Sequence, residues 1–336
     1  MDIPISRFFV TLLACLVLSA TYSQKMNGIS VNGEQYKPNF EGFSHLANSN
    51  ANWVSVQAFC FVNSPSSGVD FNRQNFWYSQ TTEGIKMYIK NAKKYNFKVF
   101  LKPHTITQYE GVWSGTFGCT NKKDWKNLEE TYSKYILNLA KIAQDYNVEA
   151  FSIGVEIDNF IYKRKSYFTS LINSVREIYK GKITYCANWD GIAKIPFWNQ
   201  LDFIGIDSYF TISKEKTPNL ADCKKKLKPI KSMLYSLSRR HKKKIVFTEF
   251  GFQSRDYTGF NPWSWEKNKQ TPTNLRAQEI SYKAILETFW KEDWFLGGFS
   301  WKWHLDYSKS GGNYDNSYTP QNKPAEKVIS DFYLKF

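Results

Sequence analysis

The chain has 336 residues, 42% hydrophobic and 18% aromatic, with a net charge of +15. That length and apolar content exclude a disordered chain or a small disulfide-stapled module, and suit one large domain. The basic runs Lys224-Lys225-Lys226 and Arg239-Arg240-His241-Lys242-Lys243-Lys244 carry no nucleic-acid reading element beside them. They read as solvated helix surface rather than a nucleic-acid stripe, with an anionic wall polymer left open as neighbour or substrate.

Arg7 precedes an almost wholly apolar run, Phe8 to Ala20, followed by Thr21-Tyr22-Ser23-Gln24. This is the h-region of a signal peptide spanning residues 1–23, with cleavage after Ser23 or Ala20, and it is too short to span a membrane. Leu12-Leu13-Ala14-Cys15 weakly resembles a lipoprotein box, but the apolar run continues through Leu18, so lipid anchoring is the lesser reading. No later stretch reaches membrane-span length. The expected mature protein, residues 24–336, is exported to the periplasm or medium. Of its cysteines, Cys60 and Cys186 lie in strand-like runs and read as buried thiols. Cys119 and Cys223 are candidates for a loop bridge, and no spacing fits a zinc site.

Strand-like and helix-like runs then alternate. The expected strands are 39–45, 53–62, 98–104, 150–157, 183–189, 203–209, 244–251 and 298–303. Helical periodicity covers 81–95, 124–146, 165–179, 220–240, 275–291 and 324–333. Helical signal is weak in the first connection and around 195–200. No repeat or linker interrupts the series, so the reading is a single-domain (β/α)8 TIM barrel.

In such a barrel the carboxyl ends of the strands carry the chemistry. Two apolar runs, Phe151-Ser-Ile-Gly-Val-Glu156 and Ile245-Val-Phe-Thr-Glu249, each end in a glutamate. Burying an unpaired carboxylate is costly, so packing explains them poorly; pairing with Arg or Lys to brace the barrel is the structural alternative. On the same rim lie Lys102 and His104, Asn188 and Trp189, Asp207 and Tyr209, and Trp301. Lys102 and His104 could merely anchor a loop, and Asp207 could satisfy backbone donors. His45 and Phe61 are weaker candidates on expected strand ends. Trp113, Trp189, Trp263, Trp265, Trp301 and Trp303 fall where loops should begin, and sugar rings stack their apolar faces on such surfaces. No His-x-His or clustered-carboxylate pattern calls for a metal or cofactor.

These segments resemble glycoside hydrolase family 113, known mainly for β-1,4-mannanases. The resemblance rests on Ala51-Asn-Trp-Val54, Leu101-Lys-Pro-His104, Gly111-Val-Trp-Ser-Gly115, Ile153-Gly-Val-Glu156 and Tyr185-Cys-Ala-Asn-Trp-Asp190. It continues through Phe197 to Tyr209, Phe247-Thr-Glu-Phe-Gly251, Pro262-Trp263 and Gly298-Phe-Ser-Trp-Lys-Trp303. It implies Glu156 as acid/base and Glu249 as nucleophile of a retaining glycosidase. Val155 stands where the wider superfamily has Asn, a departure shared by this family, which leaves Asn188 as candidate for the sugar 2-hydroxyl. Tyr209 is the expected donor to Glu249, with Lys102 or His104 adding positive field. Trp301, Trp113 and Trp189 are expected to contact sugar. The expectation is an exported, monomeric endo-β-1,4-mannanase acting on polysaccharide or oligosaccharide. The alternatives are the same mechanism on another β-linked glycan, or a carbohydrate-binding barrel without catalysis.

Overall fold

The computed structural model describes residues 24–73, 75–109, 111–264 and 271–336. The signal-peptide reading over 1–23 and Trp265 lie outside the described residues. Eight parallel strands close into a barrel in chain order. They are β1 (Met26–Val31), β2 (Trp53–Val62), β3 (Lys98–Thr107), β4 (Ala150–Val155), β5 (Lys182–Asn188), β6 (Ile204–Asp207), β7 (Ile245–Phe250) and β8 (Phe295–Trp303). Around them lie α1 (Gly42–Ala47), α2 (Thr82–Lys94), α3 (Lys122–Asp145), α4 (Asp158–Lys163), α5 (Lys165–Ile178), α6 (Leu220–His241), α7 (Leu275–Phe289) and α8 (Pro324–Tyr333). Between β5 and β6 only single 3₁₀ turns at Ile192–Lys194 and Trp198–Gln200 stand in for a helix. The protein is a single-domain (β/α)8 barrel.

The first strand corrects the sequence reading. Residues 39–45 do not pair into the sheet; the segment runs into α1, and Met26–Val31 takes the β1 place between β2 and β8. Phe40, Phe43 and Leu46 recur every third residue, which is a helical rather than an alternating pattern, and Phe43 and Leu46 are fully buried. The cysteine bridge is corrected too: Cys60, Cys119, Cys186 and Cys223 are free thiols. Among the described residues no helix is long and apolar enough to cross a membrane.

Side chains alternate in and out along each strand, and the inward set changes character with height. The barrel floor is apolar: Met26, Trp53, Phe100, Phe203, Val246 and Phe299. Phe299 stands 5.2 Å from the Phe100 ring and fills the space over Gly28, where a Cβ would lie 2.3 Å from it. Burying each such ring stabilises the fold by about 2 kcal/mol. Two residues above Phe100 on β3 comes Lys102, and two above that, His104. The barrel thus passes from an aromatic plug to a buried polar layer to an open mouth. Outward residues such as Val54, Val99, Leu101 and Ile153 meet Leu128, Ile136 and Leu139 of α3 and their counterparts on the other helices. Asn or Thr caps start α2, α3, α6 and α7, Asn121 accepting from the Asp124 amide and Asn274 from that of Ala277, each contributing about 1 kcal/mol. The core therefore holds the strand ends rigidly, which is what a site built from several strands requires.

Candidate active site

Both glutamates sit where a strand breaks its register. Pairing with β5 slips between Ser152 and Val155 on β4, just ahead of Glu156. Pairing of β6 with β7 slips so that Asp207 lies opposite Glu249 rather than Thr248. Such bulges re-aim a side chain, and they concentrate beside active sites. Glu156 also holds φ of +48°, a left-handed backbone that a β-substituted side chain adopts only under strain. Its amide donates to the Cys186 carbonyl at 2.9 Å. The following turn is pinned where the Ile157 amide donates to Tyr185 Oη at 2.8 Å and that hydroxyl donates to Asp158 Oδ1 at 3.1 Å.

Glu249 is surrounded by donors. Lys102 Nζ donates to its Oε1 at 2.7 Å, and Tyr209 Oη donates to its Oε2 at 2.7 Å. Lys102 is wholly buried and reaches Asp207 Oδ1 at 3.1 Å and the Thr248 carbonyl at 3.3 Å. Burial alone would lower the Lys102 pKa; the charges of Asp207 and Glu249 outweigh it and raise the pKa above its ordinary value. Burial, then the Glu249 charge, lifts the Tyr209 phenol well above its usual range, so it remains a donor.

Glu156 has the opposite surroundings. Among the described residues no side chain donates to its carboxyl. Burial, then the charges of Asp207 and Glu249, hold its pKa well above the carboxylate range, and Lys102 does not cancel them. Asp207 lies between the two. It accepts from Thr248 Oγ1 at 2.7 Å and from Lys102, while its Oδ2 is buried without a partner among the described residues. Burial, then the Glu249 charge, pushes it up to about 7. The suggested backbone-donor role for Asp207 is therefore corrected: both donors are side chains.

His104 corrects another expectation. Burial, then the Lys102 charge, drives its pKa well below 6.5, so the ring is neutral and adds no positive field. Its Nε2 lies 2.7 Å from Gln57 Oε1, while Gln57 Nε2 donates to Ser55 Oγ at 2.9 Å. That orientation makes Gln57 Oε1 the acceptor and places the imidazole hydrogen on Nε2. The same nitrogen is 3.8 Å from Glu249 Oε1.

The remaining candidates lie around this centre. Asn188 pairs in register with Asp207, and its Oδ1 is buried with no partner among the described residues. Trp301 tilts against His104 at 6.2 Å, with the Lys302 ammonium 5.6 Å over its ring and its own Nε1 unsatisfied among the described residues. Trp189 tilts on the exposed Trp263 at 5.3 Å, making an aromatic rim. Trp113 is half-exposed in the loop after β3, its ring folded over Gly115. Three others are not brought to the centre. Trp303 is buried core, His45 stacks on Tyr307 from α1, and Phe61 is buried against Phe76. Sequence reasoning missed Gln57 and Thr248. Gln57 was findable as the inward neighbour of Ser55 by alternation along β2; Thr248 depends on the bulge.

A barrel whose mouth holds a donor-rich carboxylate and a desolvated, proton-holding carboxyl is the apparatus of a glycoside hydrolase. The chain belongs to glycoside hydrolase family 113, whose family model matches residues 30–323. Among solved structures it is similar to the family 113 β-mannanase of Alicyclobacillus acidocaldarius, with TM-score 0.80, 22% identity, and coverage of 93% of this chain and 97% of that one. A family 113 β-1,4-mannanase matches with TM-score 0.79 and 23% identity over 93% of this chain and all of the other. A Ruminococcus gnavus β-glucuronidase matches at TM-score 0.62 and 12% identity over 92% of this chain but only half of its own. No curated protein matches the sequence.

Proposed function

We propose that this hydrolase is an exported endo-β-1,4-mannanase working by double displacement with retention. The observation that carries the reading is the electrostatic asymmetry of the two carboxyls. Glu249, held by Lys102 and Tyr209, is the nucleophile; Glu156, held protonated by burial and by the charges of Asp207, Glu249 and Asp158, is the acid. Glu156 gives its proton to the glycosidic oxygen as Glu249 bonds to the anomeric carbon and the leaving sugar departs. Water then attacks that carbon, giving a proton to Glu156, and the bond to Glu249 breaks. The Lys102 ammonium and the Tyr209 hydroxyl keep Glu249 oriented. The unpaired Oδ1 of Asn188 is available to a sugar hydroxyl, and Trp301 with the Trp189–Trp263 rim offers flat surface for sugar rings.

The names of the two mannanases in this family support mannan as substrate, and the apolar run 8–20 supports export. Reducing-sugar release and product analysis on mannan, glucomannan and cello-oligosaccharides test the reading, with NMR of the first-formed anomer. Mannan cleaved internally to β-anomeric products is the expected result. Preference for another glycan, or release of the α-anomer, would overturn the substrate or the mechanism respectively.

A further inference from the structure

At the barrel end opposite the glutamates, α6, the link into β7 and the α7–β8 turn wall a groove of about 1180 Å³. Lys228, Lys231 and Arg239 of α6, the lysines at 242–244, and Lys291 line it, opposed by only Glu292 and Asp293. Lys231 pairs with Glu292; the other cations form no ion pair among the described residues. Burial, then the charge of Lys244, lowers the ammonium of nearby Lys25 below its ordinary value, against the opposing charges of Asp293 and Glu292.

Helix-end electrostatics explains only part of this. The carboxyl end of α6 favours cations and accounts for Arg239. It does not account for Lys228 and Lys231, which lie well before that end. Lys242 occupies a left-handed conformation at φ +53°, whereas most non-glycine residues with positive φ in this chain are Asn. Of the three that are not Asn, one is Glu156. A lysine held where Gly or Asn would be unstrained points to a use for its charge. Two aromatic side chains complete the groove: Tyr235, half-exposed, and the partly buried Trp294, ring centroids 6.0 Å apart and tilted by 57°.

Cations alone would suit any polyanion. Cations interleaved with accessible aromatic faces suit a chain of charged sugars, whose C–H faces stack while their acidic groups meet ammonium groups. An elongated run of cations with two rings in its lining fits a polymer strand better than a flat bilayer. We infer that this groove is a second carbohydrate-binding site, which takes a strand of acidic polysaccharide (uronate or sulfated) and leaves the catalytic mouth free. It stands independently of the mannanase reading.

Retention of the full chain on immobilised polygalacturonate tests it. The protein should bind at low salt and elute as salt rises toward about 1 M, where screening shortens to about 3 Å. The triple variant K242E/K243E/K291E should flow through, and Tyr235→Ala should bind roughly fivefold more weakly. Both variants should cleave neutral oligosaccharide at the wild-type rate. Flow-through of the wild type overturns the inference, as does undiminished retention of the triple variant. So does unchanged retention of Tyr235→Ala alongside equal binding to DNA-cellulose or phosphatidylglycerol vesicles, which would mark a generic polyanion surface. Loss of all glycan cleavage with polygalacturonate retention intact would count against the proposed function alone.

Discussion

Glu156 and Glu249 are chemically identical side chains on the same rim, each delivered by a bulged strand, and their surroundings are opposites. Around Glu249, Lys102 and Tyr209 supply a cation and a hydroxyl donor within 2.7 Å. Around Glu156 no side chain donates among the described residues, and the charges of Asp207, Glu249 and Asp158 outweigh that of Lys102. The difference shows how a fold can set equal residues apart: one carboxyl is met by donors, and the other, without them, is held toward its protonated form. Asp207 sits at the boundary and helps both assignments. It shares Lys102 with Glu249, and its own charge adds to the field that keeps Glu156 protonated.

The comparison breaks most completely at Glu249. Glu249→Ala should lower kcat on the order of 10⁵-fold on every substrate, since the covalent step has no other nucleophile; turnover of an activated aryl glycoside is the measurement. Glu156→Ala should lose roughly 10²–10⁴-fold on natural glycans but keep most activity on aryl glycosides with good leaving groups, which need no proton. Equal loss on both substrate kinds would remove Glu156 from the acid role.

Lys102 and Asp207 sharpen the comparison in opposite directions. Lys102→Met leaves Asp207 and Glu249 buried without a cation and should cost about 3–5 kcal/mol of stability, readable as a lowered Tm. Because Lys102 lowers the Glu156 pKa, its removal should also move the alkaline limb of the pH–rate profile upward. Asp207→Asn removes a charge that raises the Glu156 pKa, so the same limb should move downward. Stability should follow. A carboxyl whose folded pKa is raised to about 7 favours the folded state less and less as pH rises from its unfolded value of about 4. Asp207→Asn should flatten that part of the stability–pH curve, measured by denaturant unfolding at several pH values; an unchanged slope would contradict the assignment. Tyr209→Phe removes one donor to the nucleophile, and its effect should be the smallest, a roughly tenfold loss in kcat with pH limbs little moved.

Much of this was legible in the linear chain, and the failures are instructive. Glu156, Glu249, Lys102 and Tyr209 could be chosen because parallel strands read as short apolar runs, and a polar residue at such a run's end has no packing reason to be there. His104 was legible as a site residue but not as a neutral one, since its charge state depends first on its burial in the folded barrel and then on the charge of Lys102 beside it. The first strand was misplaced because Met26-Asn-Gly-Ile-Ser-Val31 is short and partly polar, and its membership in the sheet comes from pairing with β2 and β8.

Sequence by itself determined the class of architecture and the single domain, and it singled out the two strand-end carboxyls proposed to react, because periodicity and buried charge are local signals. Only tertiary structure decided which glutamate is surrounded by donors, which histidine is neutral, and that Gln57, Thr248 and Asp207 belong to the same network. Those properties arise from groups on different strands meeting in a low-dielectric interior, where interaction depends on separations of a few ångströms and not on distance along the chain.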